Sequence, residues 1–164
     1  MQTFLDHPVA AISKWLEGSA LSHLLQSVDW LVPLIQTVHI LGVALVFSAV
    51  LMLLLGALGL SGREQTPERR QARFLPALRI GLPVLLATGF LMIAAEPDRA
   101  LPNRVFQIKM CLLLLACTAT VIGARRIAAA GATGATGRGW PAVAFVLWTA
   151  VLVAGRWIAY VPSH

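Results

Sequence analysis

The chain has 164 residues, enough for one domain. Its hydrophobic fraction is 58% and its charged fraction 12%, against about 45–50% and about 25% in soluble chains. That leaves too little polar surface for a water-dispersed fold, so lipid must be part of the solvent. The net charge of +6 does not indicate a polyanion partner once its sources are located. Arg63, Arg69, Arg70, Arg73 and Arg79 cluster around one connection, and Arg125, Arg126 and Arg138 lie in another. This is the arginine bias of cytoplasmic loops, and no nucleic acid is expected.

In chain order, residues 4–28 come first. No basic stretch precedes a short apolar run there, so a secretory signal is not expected. Leu5, Val9, Ile12 and Leu16 recur at helical spacing. Leu21, Leu24, Leu25 and Val28 do so again after a break at Gly18 and Ser19. Two short amphipathic helices lying in the outer interface are expected.

A membrane crossing needs about 20 mostly apolar residues. Four segments qualify: Trp30 to Leu60, which holds no formal charge, then about Leu75 to Ala95, Val105 to Gly123, and Trp140 to Val161. Pro83 should kink the second span, whereas Pro141 falls where a helix start tolerates it. The connection 61–74 is polar and basic and should face the cytoplasm. Residues 96–104 should form a short outer turn, and 124–139, with three arginines and a Gly/Ala/Thr tract, a flexible inner loop. Trp30, Trp157 and Tyr160 then sit at the outer boundary and Trp140 at the inner one. The expected fold class is all-α: an integral membrane four-helix bundle (residues 30–161) preceded by N-terminal interfacial amphipathic helices (residues 1–29). The expected location is the bacterial inner membrane, with both termini periplasmic. Cys111 and Cys117, six residues apart in one apolar segment, point to different faces and cannot be bridged. They read as small buried packing residues, as Trp148 reads as core.

Polar side chains inside spans are the natural candidates for function. His39 lies nine residues into the first span, about 13 Å at the helical rise. Lys109 lies near the outer start of the third span and Arg156 near the outer end of the fourth. Because the spans alternate in direction, all three fall at a similar depth in the outer leaflet. A neutral imidazole beside two cations suits a b-type haem: the iron takes an axial histidine, and the propionates favour Lys or Arg. His39 is the expected iron ligand, with Lys109 and Arg156 as propionate partners. Gln36 is placed to orient the imidazole or bond a propionate, and Gly42 to give the macrocycle a gap. The plain alternatives are a histidine hydrogen-bonded to a neighbouring helix and cations that snorkel to the interface. His23 is a candidate second ligand if the interfacial segment folds over the bundle. Otherwise the iron is five-coordinate, takes Met92 or Lys109, or borrows a ligand from another subunit. His7 and His164 read as solvated.

The stretches WLVPLIQTVHILGVALVFSAVL (30–51), RRQARFLPALRIGLPVLLATGFLMIAAEP (69–97), NRVFQIKMCLLLLA (103–116) and AGRWIAYV (154–161) resemble an uncharacterised family of small bacterial four-helix membrane proteins. That family opens its first span with P-x-x-(E/Q)-x-x-H-x-L-G, carries F-x-x-K in the third and ends the fourth with G-R-W-I-A-Y. The likeness covers about residues 20–161. It departs at LMLLLGALGL (51–60), where the family often has D-L-R-L-L-G, so any role of that acidic-basic pair is missing here. More remotely the plan is similar to the CopD domain of copper-resistance proteins and to HemJ, the haem-associated protoporphyrinogen oxidase, which also place a histidine in an early span and a lysine in a later one. The resemblance implies that His39 and Lys109 match those two residues, and it names no reaction.

The function expected is therefore a haem b membrane protein of cytochrome type. Embedded in the lipid bilayer, it would carry electrons between an outer redox protein and the quinone pool, or sense redox state or a small gas. Homo-oligomerisation is a further expectation. The rivals are a CopD-like copper-handling protein, a non-catalytic membrane subunit that docks an outer redox enzyme through residues 1–28, and a porphyrinogen oxidase of HemJ type. There is no hydrolytic triad, no CxxC, no nucleotide loop and no carboxylate pair in the spans.

Overall fold

The computed structural model describes residues 3–61, 66–130 and 135–157. Within them the chain is helical: α1 (Thr3–Glu17), α2 (Ala20–Ser27), α3 (Leu31–Ala57), α4 (Pro67–Ala95), α5 (Pro97–Ala100), α6 (Arg104–Ala130) and α7 (Ala135–Trp157). Four of these helices, α3, α4, α6 and α7, are long and apolar enough to cross a membrane.

Helix boundaries follow from local chemistry. The break between α1 and α2 falls at Gly18 and Ser19, where the Ser19 hydroxyl accepts from the Ser22 amide at 3.2 Å and donates to the Leu16 carbonyl at 2.6 Å. Helix α3 stops at Ala57, short of the expected Leu60. Gly59 adopts φ +73°, and its amide bonds the Gly56 carbonyl at 3.1 Å while that of Leu60 bonds Leu55 at 2.9 Å. This two-bond closure needs a left-handed residue, which glycine supplies without steric cost.

The polar connections are shorter than the sequence suggests. Helix α4 begins at Pro67, capped by Thr66, whose hydroxyl accepts from the Arg69 amide at 3.4 Å. Most of the expected 61–74 connection is therefore helix, because a capping Thr followed by Pro starts a helix regardless of the charges behind it. Helix α6, capped by Asn103 Oδ1 on the amides of Val105 and Phe106, runs to Ala130, and α7 starts at Ala135. The expected flexible loop 124–139 is thus largely helical, since alanine's high helix propensity outweighs its small size. Pro141 consequently lies inside α7 and not at its start. Tyr160 and His164 lie outside the described residues, and His7 lies within α1.

Helices α3 and α4 pack along their length, as do α6 and α7, and α3 joins the two pairs through α7; α4 and α6 touch sparingly. The core joins Val46, Ala49 and Val50 of α3, Leu78 and Leu85 of α4, Ala116 of α6, and Ala144, Trp148 and Val151 of α7. Trp148 is buried, as expected, and its indole N–H donates to Thr120 Oγ1 at 3.2 Å. Large apolar side chains such as Leu41, Ile80, Leu114 and Val146 face outward, the arrangement a lipid surround would satisfy. Cys111 is among the exposed residues and not a buried packing residue, while Cys117 is half-buried. Its position places Cys111 on the outward side of α6 with Ile108, Leu114 and Leu115.

At the end of the molecule that carries α5, helices α1 and α2 fold back onto α3 and α4. Leu16, Leu25, Ile35, Ala94 and Ala95 form a second apolar cluster there. Gln26 donates to the Ala95 carbonyl at 3.0 Å, and the buried Ser13 hydroxyl donates to Asp98. Of the apolar positions read from the sequence, Leu16 and Leu25 are buried and Ile12 and Leu24 exposed.

Candidate functional site

His39 sits on α3 with its imidazole half-buried against α4. Its Nδ1 is 2.7 Å from Thr88 Oγ1, and that hydroxyl lies 2.6 Å from the Val84 carbonyl oxygen and 3.3 Å from that of Leu85. A Cβ on Gly89 would stand 3.6 Å from His39 Cε1, so this small residue leaves the ring its place beside α4.

Lys109 enters from α6. Its Cε and Nζ are each 3.6 Å from the position a Cβ would take on Gly155 of α7. The ammonium is within electrostatic reach of the His39 imidazole. No acidic group acts on Lys109 among the described residues. That follows from composition, because none of the four long apolar segments contains Asp or Glu. Every buried side-chain nitrogen or oxygen among the described residues has a hydrogen-bond partner. His39 Nε2 and Lys109 Nζ have no hydrogen-bond partner among the described residues.

The other candidates are placed as follows. Arg156 is exposed on the last turn of α7, next to the glycine that receives Lys109. Gln36 is exposed one turn before His39. Gly42 is buried, and the space beside it is taken by Leu85 Cδ2 and Val84 Cγ1; there it lets α4 approach α3. His23 is exposed on α2 within electrostatic reach of Glu17. Met92 is half-buried beside the cluster under α1 and α2.

Thr88, Gly89 and Gly155 went unnoticed in the sequence. Thr88 is the one with a signal: a hydroxyl in an apolar span needs a partner, and at 7% exposed it has three within the protein.

Among the described residues, His39 Nε2 has no hydrogen-bond partner and Lys109 no carboxylate partner. No group of three or more His, Cys, Asp or Glu among the described residues is placed to hold a metal ion. No protein-family model, curated protein or solved structure matches the chain.

Proposed function

We propose that the chain is a membrane-embedded four-helix bundle that binds a b-type haem between His39 and Lys109, as a cytochrome-type electron carrier or a redox or gas sensor. The observation that carries the reading is the half-buried Lys109 cation with no acidic group acting on it among the described residues, within electrostatic reach of a histidine whose Nε2 has no partner among them. An ammonium within a bilayer is costly unless paired. With no carboxylate in any span, the ligand itself must bring the anion. Haem supplies propionates for Lys109 and a redox-active iron for His39.

The chain's own residues would do the rest. His39 would hold the iron, Lys109 and Arg156 the carboxylates, and the surrounding apolar side chains would exclude water. An exposed Gln36 remains available to a propionate. The clustering of Arg69, Arg73, Arg125 and Arg126 at the end opposite α5 favours that end as cytoplasmic. The site would then lie in the outer half of a bacterial inner membrane, with both termini periplasmic and α1 and α2 at the outer interface. From there it could exchange electrons with quinone in the bilayer or with an outer redox protein. A CopD-like copper role has less support, since no cluster of soft ligands accompanies His39 among the described residues.

The deciding experiment is an optical spectrum of the protein purified from membranes. A Soret band with reducible α and β bands is expected. Protein that stays colourless after incubation with hemin would overturn the reading.

A further inference from the structure

We infer that Thr88 is a positioning residue that holds His39 in the Nδ1–H tautomer and so leaves Nε2 as the nitrogen that meets the ligand. The consequence for haem rests on the proposed function; the tautomer itself does not.

The argument counts protons. The Thr88 hydroxyl has one proton and three neighbours: the Val84 carbonyl at 2.6 Å, the Leu85 carbonyl at 3.3 Å and His39 Nδ1 at 2.7 Å. Two oxygens 2.6 Å apart need a proton between them, and a carbonyl has none. The hydroxyl proton therefore goes to Val84, by the back-bond that threonine commonly makes within a helix. The Thr88 oxygen is then an acceptor toward the ring, and Nδ1 must carry the hydrogen. A neutral imidazole has one N–H, so Nε2 keeps its lone pair. Because Thr88 is only 7% exposed, little outside the chain can compete for the hydroxyl. The acceptor is neutral, so it orients the ring without drawing the proton away as a carboxylate would.

Valine has nearly the shape of threonine but cannot accept from Nδ1–H, whereas serine can. The test uses the full chain labelled with 15N-histidine, without haem, in lipid nanodiscs, with the His39 signal assigned by its loss in His39→Gln. The expected wild-type spectrum has an unprotonated Nε2 and a protonated, slowly exchanging Nδ1. Thr88→Ser should keep this pattern, and Thr88→Val should shift the population toward Nε2–H. Hemin titration of the same samples should show affinity about 10–100-fold weaker in Thr88→Val, the usual effect of removing such a partner, and near wild type in Thr88→Ser. A wild-type His39 protonated on Nε2, or a Thr88→Val spectrum like the wild type, would overturn the inference. The expected tautomers in a protein that takes up no hemin would uphold Thr88's role and remove the haem reading instead.

Discussion

Gly81 of α4 and Val46 of α3 meet so closely that a Cβ on Gly81 would lie 2.5 Å from Val46 Cγ2. Val46 is fully buried, so neither backbone nor side chain has room to yield. Gly81→Ala should separate α3 and α4 and cost about 1–3 kcal/mol, the usual range for overpacking. Because His39 bonds across the same pair of helices, its contact with Thr88 should loosen too. Val46→Ala added to Gly81→Ala should restore part of the loss. Denaturant titration in detergent measures all three, and a Gly81→Ala protein as stable as wild type would contradict this packing.

His39→Ala should remove bound haem or leave it weakly held, because His39 is the sole histidine in the four long apolar segments. Membrane insertion should persist, since one polar residue changes little in the hydropathy of α3. The check is the haem-to-protein ratio in purified membranes. A spectrum unchanged from wild type would remove His39 from the iron.

Lys109→Met tests whether the cation pairs with a ligand or merely snorkels to the interface. Loss of a buried charge partner costs about 3–5 kcal/mol, and a half-buried lysine should contribute part of that. Haem retention should fall and the midpoint potential rise, as an uncompensated propionate is protonated or expelled. Redox titration of wild type, Lys109→Met and Arg156→Gln gives the answer. Three superimposable curves with equal haem content would leave no role for the cations.

Cysteine labelling reads the topology. With Cys111 and Cys117 replaced, Thr66→Cys should be protected from membrane-impermeant reagent in intact cells and Ala100→Cys labelled. The two positions lie at opposite ends of α4, at its cap and just beyond its end. Reaction of Thr66→Cys from outside would invert the assignment.

The seat of α1 should depend on pH. The Glu17 carboxyl is held above the usual glutamate range, first by a hydrogen bond shared with Asp98 and then by the repulsion of Asp98's charge; His23 and Lys14 act in the opposite sense. A raised folded-state value contributes stability below the ordinary glutamate value of about 4.3 and loses it as pH rises through the folded-state value. Docking of α1 against α5 should therefore be tightest in acid and loosen on the way to neutral pH. Hydrogen exchange in α1, corrected for intrinsic rates, should show this trend in wild type. Glu17→Gln should flatten it, and the same slope in both proteins would exclude Glu17.

Sequence alone determined the helix count and type in the apolar segments, because residues without polar side chains can satisfy their backbone only in helices when lipid surrounds them. The break at Gly18 and Ser19 was legible for a similarly local reason, a glycine followed by a capping serine. Helix ends were less legible where a cap or alanine propensity competed with charge, as at Thr66 and along 124–130. His39 and Lys109 were conspicuous as polar groups in apolar runs. That Lys109 comes within electrostatic reach of His39 was not, since it depends on which faces the helices present after packing. Only the tertiary structure decided that Thr88 would face His39 Nδ1, that Leu85 would occupy the space beside Gly42, and that Gly155 would receive Lys109. Those are contacts between different helices, and one helix's periodicity cannot specify the rotation of its neighbour.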